Sequence, residues 1–335
     1  MLHRPLYRFL GRFLSKNDRR KIASKILMED SFSYSIRNAN FVNSRSILFC
    51  CDIHPKNPQS SIANTSYLES IPHALRNLVK AKSCNDIPTI YVPSDGLPYF
   101  ADHIIDKINF PFILVSGDSD LAIDESNLNT HLKKILENPK LVRWFAQNRN
   151  TDHPKLFSLP IGINIHNLWS NPLEWGGGFI LPALQELQLN TISQEAPLFA
   201  LREAKIFCNW HFSIDRADRR KCLEEIDRSI CYFQDKPLPM AQTWELQSQF
   251  QFVLSPHGAG LDCHRTWEAL ILGCIPVIKK SSMDDLFADL PVMIVNDWSE
   301  IDANFLEHSK KLLESKTFNT QKLQMHYWRS LLKKN

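Results

Sequence analysis

The 335-residue chain reads as an α/β protein of two successive units, each built on a largely parallel sheet. Three observations carry this reading. Short apolar, strand-like runs alternate with stretches of helical periodicity along most of the length. Residues 252 to 278, FVLSPHGAGLDCHRTWEALILGCIPVI, spell out a complete strand, glycine loop, helix and strand. The length suffices for two domains, and 44% hydrophobic with 22% charged residues is a globular composition.

Taken in order, residues 1–26 come first. They hold eight basic residues against the single acid Asp18, an excess of +7 that leaves −4 on the remainder of a chain of net charge +3. Leu6, Phe9, Leu10, Phe13 and Leu14 recur at helical spacing, while Arg8, Arg12 and Lys16 line another face. The segment has no continuous apolar core, so it is not a signal peptide, and no stretch of the chain is apolar enough to span a bilayer. A basic amphipathic helix of this kind either makes a peripheral contact with an anionic membrane or packs its apolar stripe on its own domain. No nucleic-acid-binding module accompanies it.

Ser46 to Cys51 is expected as a buried strand, Leu68 to Ala81 as a helix and Thr89 to Val92 as a strand. Phe112 to Val115 follows as a strand, Leu128 to Glu137 as a helix, and Leu156 to Pro160 as a strand ending at Gly162. Trp175 to Gly178 marks a turn. The polar stretch from Gln188 to Ala200, with Pro197, reads as an interdomain linker. The second unit begins with strand Ile206 to Asn209, then a helix from Asp215 to Ile226. The 252–278 unit, strand Val292 to Val295 and a helical stretch from Ile301 to Leu332 complete it. The expected division is 1–195 for the first unit, 200–316 for the second, and 317–335 for a last helix packing back on the first, anchored by Tyr327 and Trp328.

The eight cysteines form no CxxC pair and no metal spacing, which points to a reducing, cytoplasmic setting. One sequon, at Asn64, carries little weight.

Function is most legible in the 252–278 unit. Its loop lies between a strand's C-terminal end and a helix's N-terminus, where such units hold phosphate. Gly258 and Gly260 permit positive φ and close backbone approach. Asp262, Arg265, Glu268 and Leu272 share one helix face, while Trp267, Leu270, Ile271 and Cys274 read as packing. Arg265 suits bidentate binding of a diphosphate, and Glu268, one turn on, suits ribose hydroxyls. The plain alternative is a surface ion pair. The loop matches neither the dinucleotide fingerprint nor the P-loop.

The pattern Ser255-Pro256-x-Gly258, then Arg265, Glu268-Ala269 and Gly273-Cys274-x-Pro276-Val277, resembles the donor-binding signature of exostosin-like glycosyltransferases. The likeness is specific over about these 27 residues and extends loosely to Asp297-Trp298-Ser299. His257 and His264 fall where members vary. The resemblance implies a GT-B fold, two Rossmann-like domains facing across a cleft. It also implies inverting transfer of a sugar from a nucleoside diphosphate donor to an oligosaccharide or glycoconjugate acceptor, with donor contacts at Ser255, His257, Gly258, Gly260, Arg265 and Glu268.

Such a reaction needs cations for the departing diphosphate and a base for the acceptor hydroxyl. Arg216, Arg219 and Arg220, clustered at an expected helix start, are further donor-site candidates, Arg216 and Arg220 foremost. Asp118 and Asp120, after the strand Phe112–Val115, are the leading base candidates, with Asp95 and His54 as alternates; each also reads as a turn or cap residue. Gln147, Asn148 and His166 suit acceptor hydroxyls or local backbone groups equally. No cofactor and no metal are expected. Two competing classes remain: a catalytically silent nucleotide-sugar or glycan-binding protein, and a metal-dependent phosphatase or nucleotidyl enzyme using Asp118 and Asp120.

Overall fold

The computed structural model describes residues 29–56, 65–81, 86–165, 180–314 and 316–333. Residues 1–26, Asn64, Cys84, His166 and the turn at 175–178 lie outside these.

The first unit opens with helices α1 (Glu29–Arg37), α2 (Ser44–Cys50) and α3 (Thr65–Ala81). Four parallel strands follow: β1 (Thr89–Pro93), β2 (Phe112–Gly117), β3 (Leu141–Ala146) and β4 (Leu156–Ser158). They lie side by side in chain order, with Ile53 bridged to Ile90 beyond β1. Helical turns over 94–107 join β1 to β2, and α4 (Thr130–Leu136) precedes β3. β2 is buried on both faces. Phe112 and Leu114 enter one apolar cluster, Ile113 and Val115 another, as the two-residue period of a strand requires.

Helix α5 (Pro182–Glu195) leads to the second unit. There β5 (Glu203–Cys208) is followed by α6 (Arg219–Glu225), β6 (Cys231–Phe233), α7 (Met240–Gln247), β7 (Phe250–Leu254), α8 (His264–Ile271), β8 (Ile275–Lys279) and β9 (Met293–Val295). All pairings are parallel, in the order β6-β5-β7-β8-β9. The chain steps outward from β5 to β6 and then returns to β7 on β5's other side. That reversal opens a crevice beyond the C-terminal ends of β5 and β7. Helices α9 (Ala303–Glu314) and α10 (Met325–Lys333) close the chain. α10 returns to the first unit: Met325 N–H donates to Asn40 O, Val42 N–H to Leu323 O, and Trp328 is buried.

Two expectations fail for identifiable reasons. Ser46 to Cys51 is helix α2, not a strand, because Asn43 caps it by accepting from Ser46 N–H at 2.8 Å. An apolar run buried all round does not reveal its period. Gln188 to Ala200 is no linker. Its first half continues α5, whose Leu189 and Ile192 are core residues and whose Glu186 accepts from Asn40 N–H and Phe41 N–H. The stretch 301–332 is helical as expected, in α9 and α10. β3 and β6 were not anticipated as strands.

The largest apolar cluster runs through both units, joining Tyr91, Val115 and Phe145 to Phe207, Val253 and Trp267. At its rim Gly162 holds φ +68°, and a Cβ there would lie 2.1 Å from Val42 O. Gly162→Ala is therefore expected to cost about 2–4 kcal/mol, read as a lowered urea midpoint.

Candidate functional site

The cleft between the units has a volume of about 580 Å³. The C-terminal ends of β2 and β3 and the segment around Ile161 form one wall. The ends of β5 and β7 and the first turn of α8 form the other. Two residues at the first wall's strand ends hold positive φ, Asp118 at 58° and Asn148 at 52°. Both are short polar side chains that tolerate this region.

The glycine loop does not work as expected. Neither Gly258 nor Gly260 has positive φ. They are needed for close approach instead: a Cβ on Gly260 would lie 2.6 Å from Asn148 Oδ1, and one on Gly258 would lie 3.2 Å from Arg219 Nη2. Several loop amides are already occupied. Gly258 N–H donates to Gly260 O, while Leu261 N–H and Asp262 N–H both donate to Asn148 Oδ1. The first unit thus caps two of the loop's backbone donors, and the groups that an anion in the cleft would meet are side chains.

Those side chains are arginines. Arg265 donates from Nε to Asn209 Oδ1 at 3.0 Å and from Nη1 to Ser255 Oγ at 3.4 Å. Arg219 donates from Nε to His257 O and from Nη1 to Ser213 O, both at 3.2 Å. Arg216 is exposed on the same wall. Among the described residues none of the three pairs with a carboxylate. Burial lowers the pKa of Arg219 and Arg265, and for Arg219 the Arg265 charge adds to this. Both guanidinium groups remain charged; among the described residues neither makes an ion pair within 4.0 Å, although the Glu268 charge acts on Arg265 from further off.

Helix α6 is placed for this by the Asp297-Trp298-Ser299 element. Trp298, buried, donates its indole N–H to Asp218 Oδ2 at 3.1 Å, at the residue just before Arg219. Asp297 and Glu300 form a capping box that fixes the turn.

The remaining donor-side candidates divide. Glu268 lines the cleft, but its oxygens already accept from Trp244 Nε1 at 3.1 Å and Asn164 N–H at 3.3 Å. Burial pushes its pKa up to about 7. Ser255 does not line the cleft; its hydroxyl bonds Thr266 Oγ1 and Arg265 and so positions the latter. His257 sits behind the loop, 4.0 Å from Asp218. Burial lowers its pKa, partly countered by Asp218. Arg220 is on the surface, paired with Asp215, and Arg219 occupies the place expected of it.

On the other wall, Asp118 and Asp120 both line the cleft. Asp118 is engaged: Tyr91 Oη donates to Oδ2 at 3.0 Å, Arg45 Nη1 lies at 3.4 Å, and Asp118 N–H donates to Gln147 Oε1. Burial raises its pKa despite the Arg45 charge. Asp120 is exposed. Asp95 and His54 do not line the cleft; His54 contacts Pro55 O and the Phe49 ring. Gln147 and Asn148 serve backbone groups, Gln147 Nε2 donating to Pro160 O and Asn148 Nδ2 to Ser119 O.

Residues not anticipated include Arg45, just before a stretch read as a strand, the aromatic wall of Trp210, Phe212 and Trp244, and His264. Only His264, adjacent to Arg265, carried a local signal. Among the described residues no three His, Cys, Asp or Glu side chains cluster as metal ligands, and no helix is long and apolar enough to cross a membrane. No protein-family model matches the chain, and neither does any curated protein.

Asp262 closes the loop from within. It accepts from Ile161 N–H and from the Trp267 indole, and burial pushes its pKa up to about 7. Its folded value exceeds the unfolded one, near 4, so the native state holds an extra proton between these pH values. That stabilisation is present at the acid end and lost as pH rises through about 7. Asp262→Asn removes it. The variant's Tm is expected to fall less than the wild type's, or rise more, between pH 5 and 8.

Proposed function

We propose that the protein is an inverting glycosyltransferase of GT-B type, moving a sugar from a nucleoside diphosphate donor to a glycan acceptor. The observation that carries this reading is the pair of guanidinium groups, buried Arg219 and half-buried Arg265, beside the loop at the switch point of the second sheet, with no carboxylate among the described residues in ion-pair contact with either. A diphosphate supplies the missing charge and paired oxygens that a planar guanidinium fork engages two at a time. Arg216 adds a third cation at the open side. Two parallel sheets whose C-terminal ends line one cleft are compatible with that architecture. The likeness of 252–278 and 297–299 to exostosin-like enzymes points the same way.

Phe212, exposed at the cleft, offers an aromatic face for the base or sugar, and Glu268 has lone pairs left for ribose hydroxyls. The opposite wall, with Asp118 and Asp120, receives the acceptor. As the diphosphate leaves, Arg219 and Arg265 meet the charge that develops on it, held in place beforehand by Asn209, Ser255, Ser213 and His257 O.

A thermal-shift screen against UDP, GDP and their sugars is the direct test. A ligand at about 100 times its Kd stabilises by about 2.7 kcal/mol. Arg265→Ala is expected to weaken nucleotide binding about tenfold or more with little change in the unliganded Tm, since it removes a charge-assisted contact worth about 1.5–3 kcal/mol. Undiminished binding and turnover in this variant count against the assignment. Binding without any turnover in the wild type favours a silent nucleotide-sugar-binding protein.

A further inference from the structure

We propose that the face formed by α1 and α10, bearing Tyr34, Arg37, Arg329 and Lys333, docks the protein onto an anionic lipid surface.

Charge is polarised along the sequence. Residues 1–37 hold nine basic residues against three acids, and residues 316–335 hold five basic residues and no acid. That excess of +11 leaves −8 on everything between them. The fold brings the two stretches together. Helices α1 and α10 both pack on α2, and Arg329 Nη2 donates to Arg37 O at 3.0 Å.

Each of the two helices turns one face inward. Ile36 on α1 and Trp328 and Leu332 on α10 are buried. The opposite faces carry Tyr34, Arg37 and Asn38 on α1, and Arg329, Ser330 and Lys333 on α10, all exposed at helical spacing. Among the described residues no carboxylate stands on either stripe, and none of the three cations makes an ion pair. The Arg37 guanidinium lies over the Phe49 ring, 4.9 Å from its centre. Like charges gathered on one face repel one another within the molecule and favour an anionic partner outside it.

Two features select lipid as that partner. Tyr34 is 71% exposed, one turn before Arg37, and a tyrosine suits the headgroup level with its ring in apolar surroundings and its hydroxyl wet. The sequence that feeds into α1 adds Leu6, Phe9, Leu10, Phe13 and Leu14 at helical spacing to its cations. A nucleic acid uses the charge alone, whereas a bilayer also takes up the apolar residues.

Helix α2 links this face to the cleft. Ser44 and Arg45 at its start line the cleft, and Phe49 near its end meets Arg37. Seven residues of helix rise about 10 Å, so docking brings the first wall of the cleft near the lipid surface. The docking itself does not depend on the transferase reading.

The full chain is sedimented with phosphatidylcholine vesicles containing about 30% phosphatidylglycerol, and with vesicles of phosphatidylcholine alone. Binding is expected on the anionic vesicles only and weakens as salt is added. A basic residue near an anionic surface is worth about fivefold in partitioning, so Arg37→Gln, Arg329→Gln and Lys333→Gln together are expected to weaken binding about 100-fold, with Tm unchanged. That variant keeps residues 1–26. Binding within about threefold of wild type shows that the folded face takes no part, and overturns the proposal.

A second measurement needs no variant. Lysines of the wild-type protein are acetylated with and without the anionic vesicles and quantified by mass spectrometry. Lys133, with its side chain 76% exposed on α4, is the control, because α4 packs on the other face of the first sheet from α1, α2 and α10. Vesicles are expected to protect Lys333 and leave Lys133 reactive. Equal protection of the two, or none, overturns the proposal. So does equal binding to both kinds of vesicle. Binding to transfer RNA without binding to anionic vesicles overturns it as well, and gives the face to nucleic acid.

Discussion

The grip of the second unit on residues 161 to 164 is the constraint on which the rest of the molecule turns. Within that short segment Ile161 N–H is bound by Asp262, Gly162 O by His264, and Asn164 N–H by Glu268. The three side chains stand on one loop and one helix. From the other direction Asn148 caps the loop amides of Leu261 and Asp262. The contact is reciprocal: each unit satisfies backbone groups that the other leaves open. Buried backbone groups are costly to leave unpaired, so this zone fixes the spacing and facing of the two sheets. The carboxylates take part at the cost of raised pKa values, which means the interface is sensitive to protonation in the neutral range.

Further from the cleft the same joint is reinforced by Arg149. It reaches Ser158 on its own side and Asp285 and the carbonyl of Ser282 on the other. Ser282 Oγ returns a bond to Arg149 O. Helix α10 ties residues 37–42 to the end of the chain, so the first unit is completed by the last residues. The apolar cluster shared by both units accounts for why such polar contacts can be dry.

Sequence alone disclosed the strands of both sheets except β3 and β6, and went astray in helices around the first, for physical reasons. Around 252–278 a strand, a loop and a helix follow one another with unambiguous periods, and Gly273 at φ +73° ends the helix as its position suggests. In the first unit the apolar run at 46–51 was indistinguishable from a strand, and the polar surface of α5 concealed a helix whose buried side includes Gln185 and Glu186. At the site, Arg265 and Asp118 were found because each sits at a strand–helix junction. Arg45, the Asn148 cap and the Gly162–His264 bond were not, because each joins residues separated by about 70 to more than 100 positions. The choice between Arg219 and Arg220 was also hidden, since neighbours on a short helix differ only in which way they face.

The Asn148 cap bears on how such a protein can change over time. The loop at 258–262 has its shape only while a side chain from the other sheet holds it, and Gly260 leaves no room for any but a snug fit. The half that carries this loop is therefore not a portable cassette. Exchange between related chains preserves it only when the β3 end, the 161–164 segment and the 252–278 unit travel together, so heredity acts on a pair of distant stretches as though they were one.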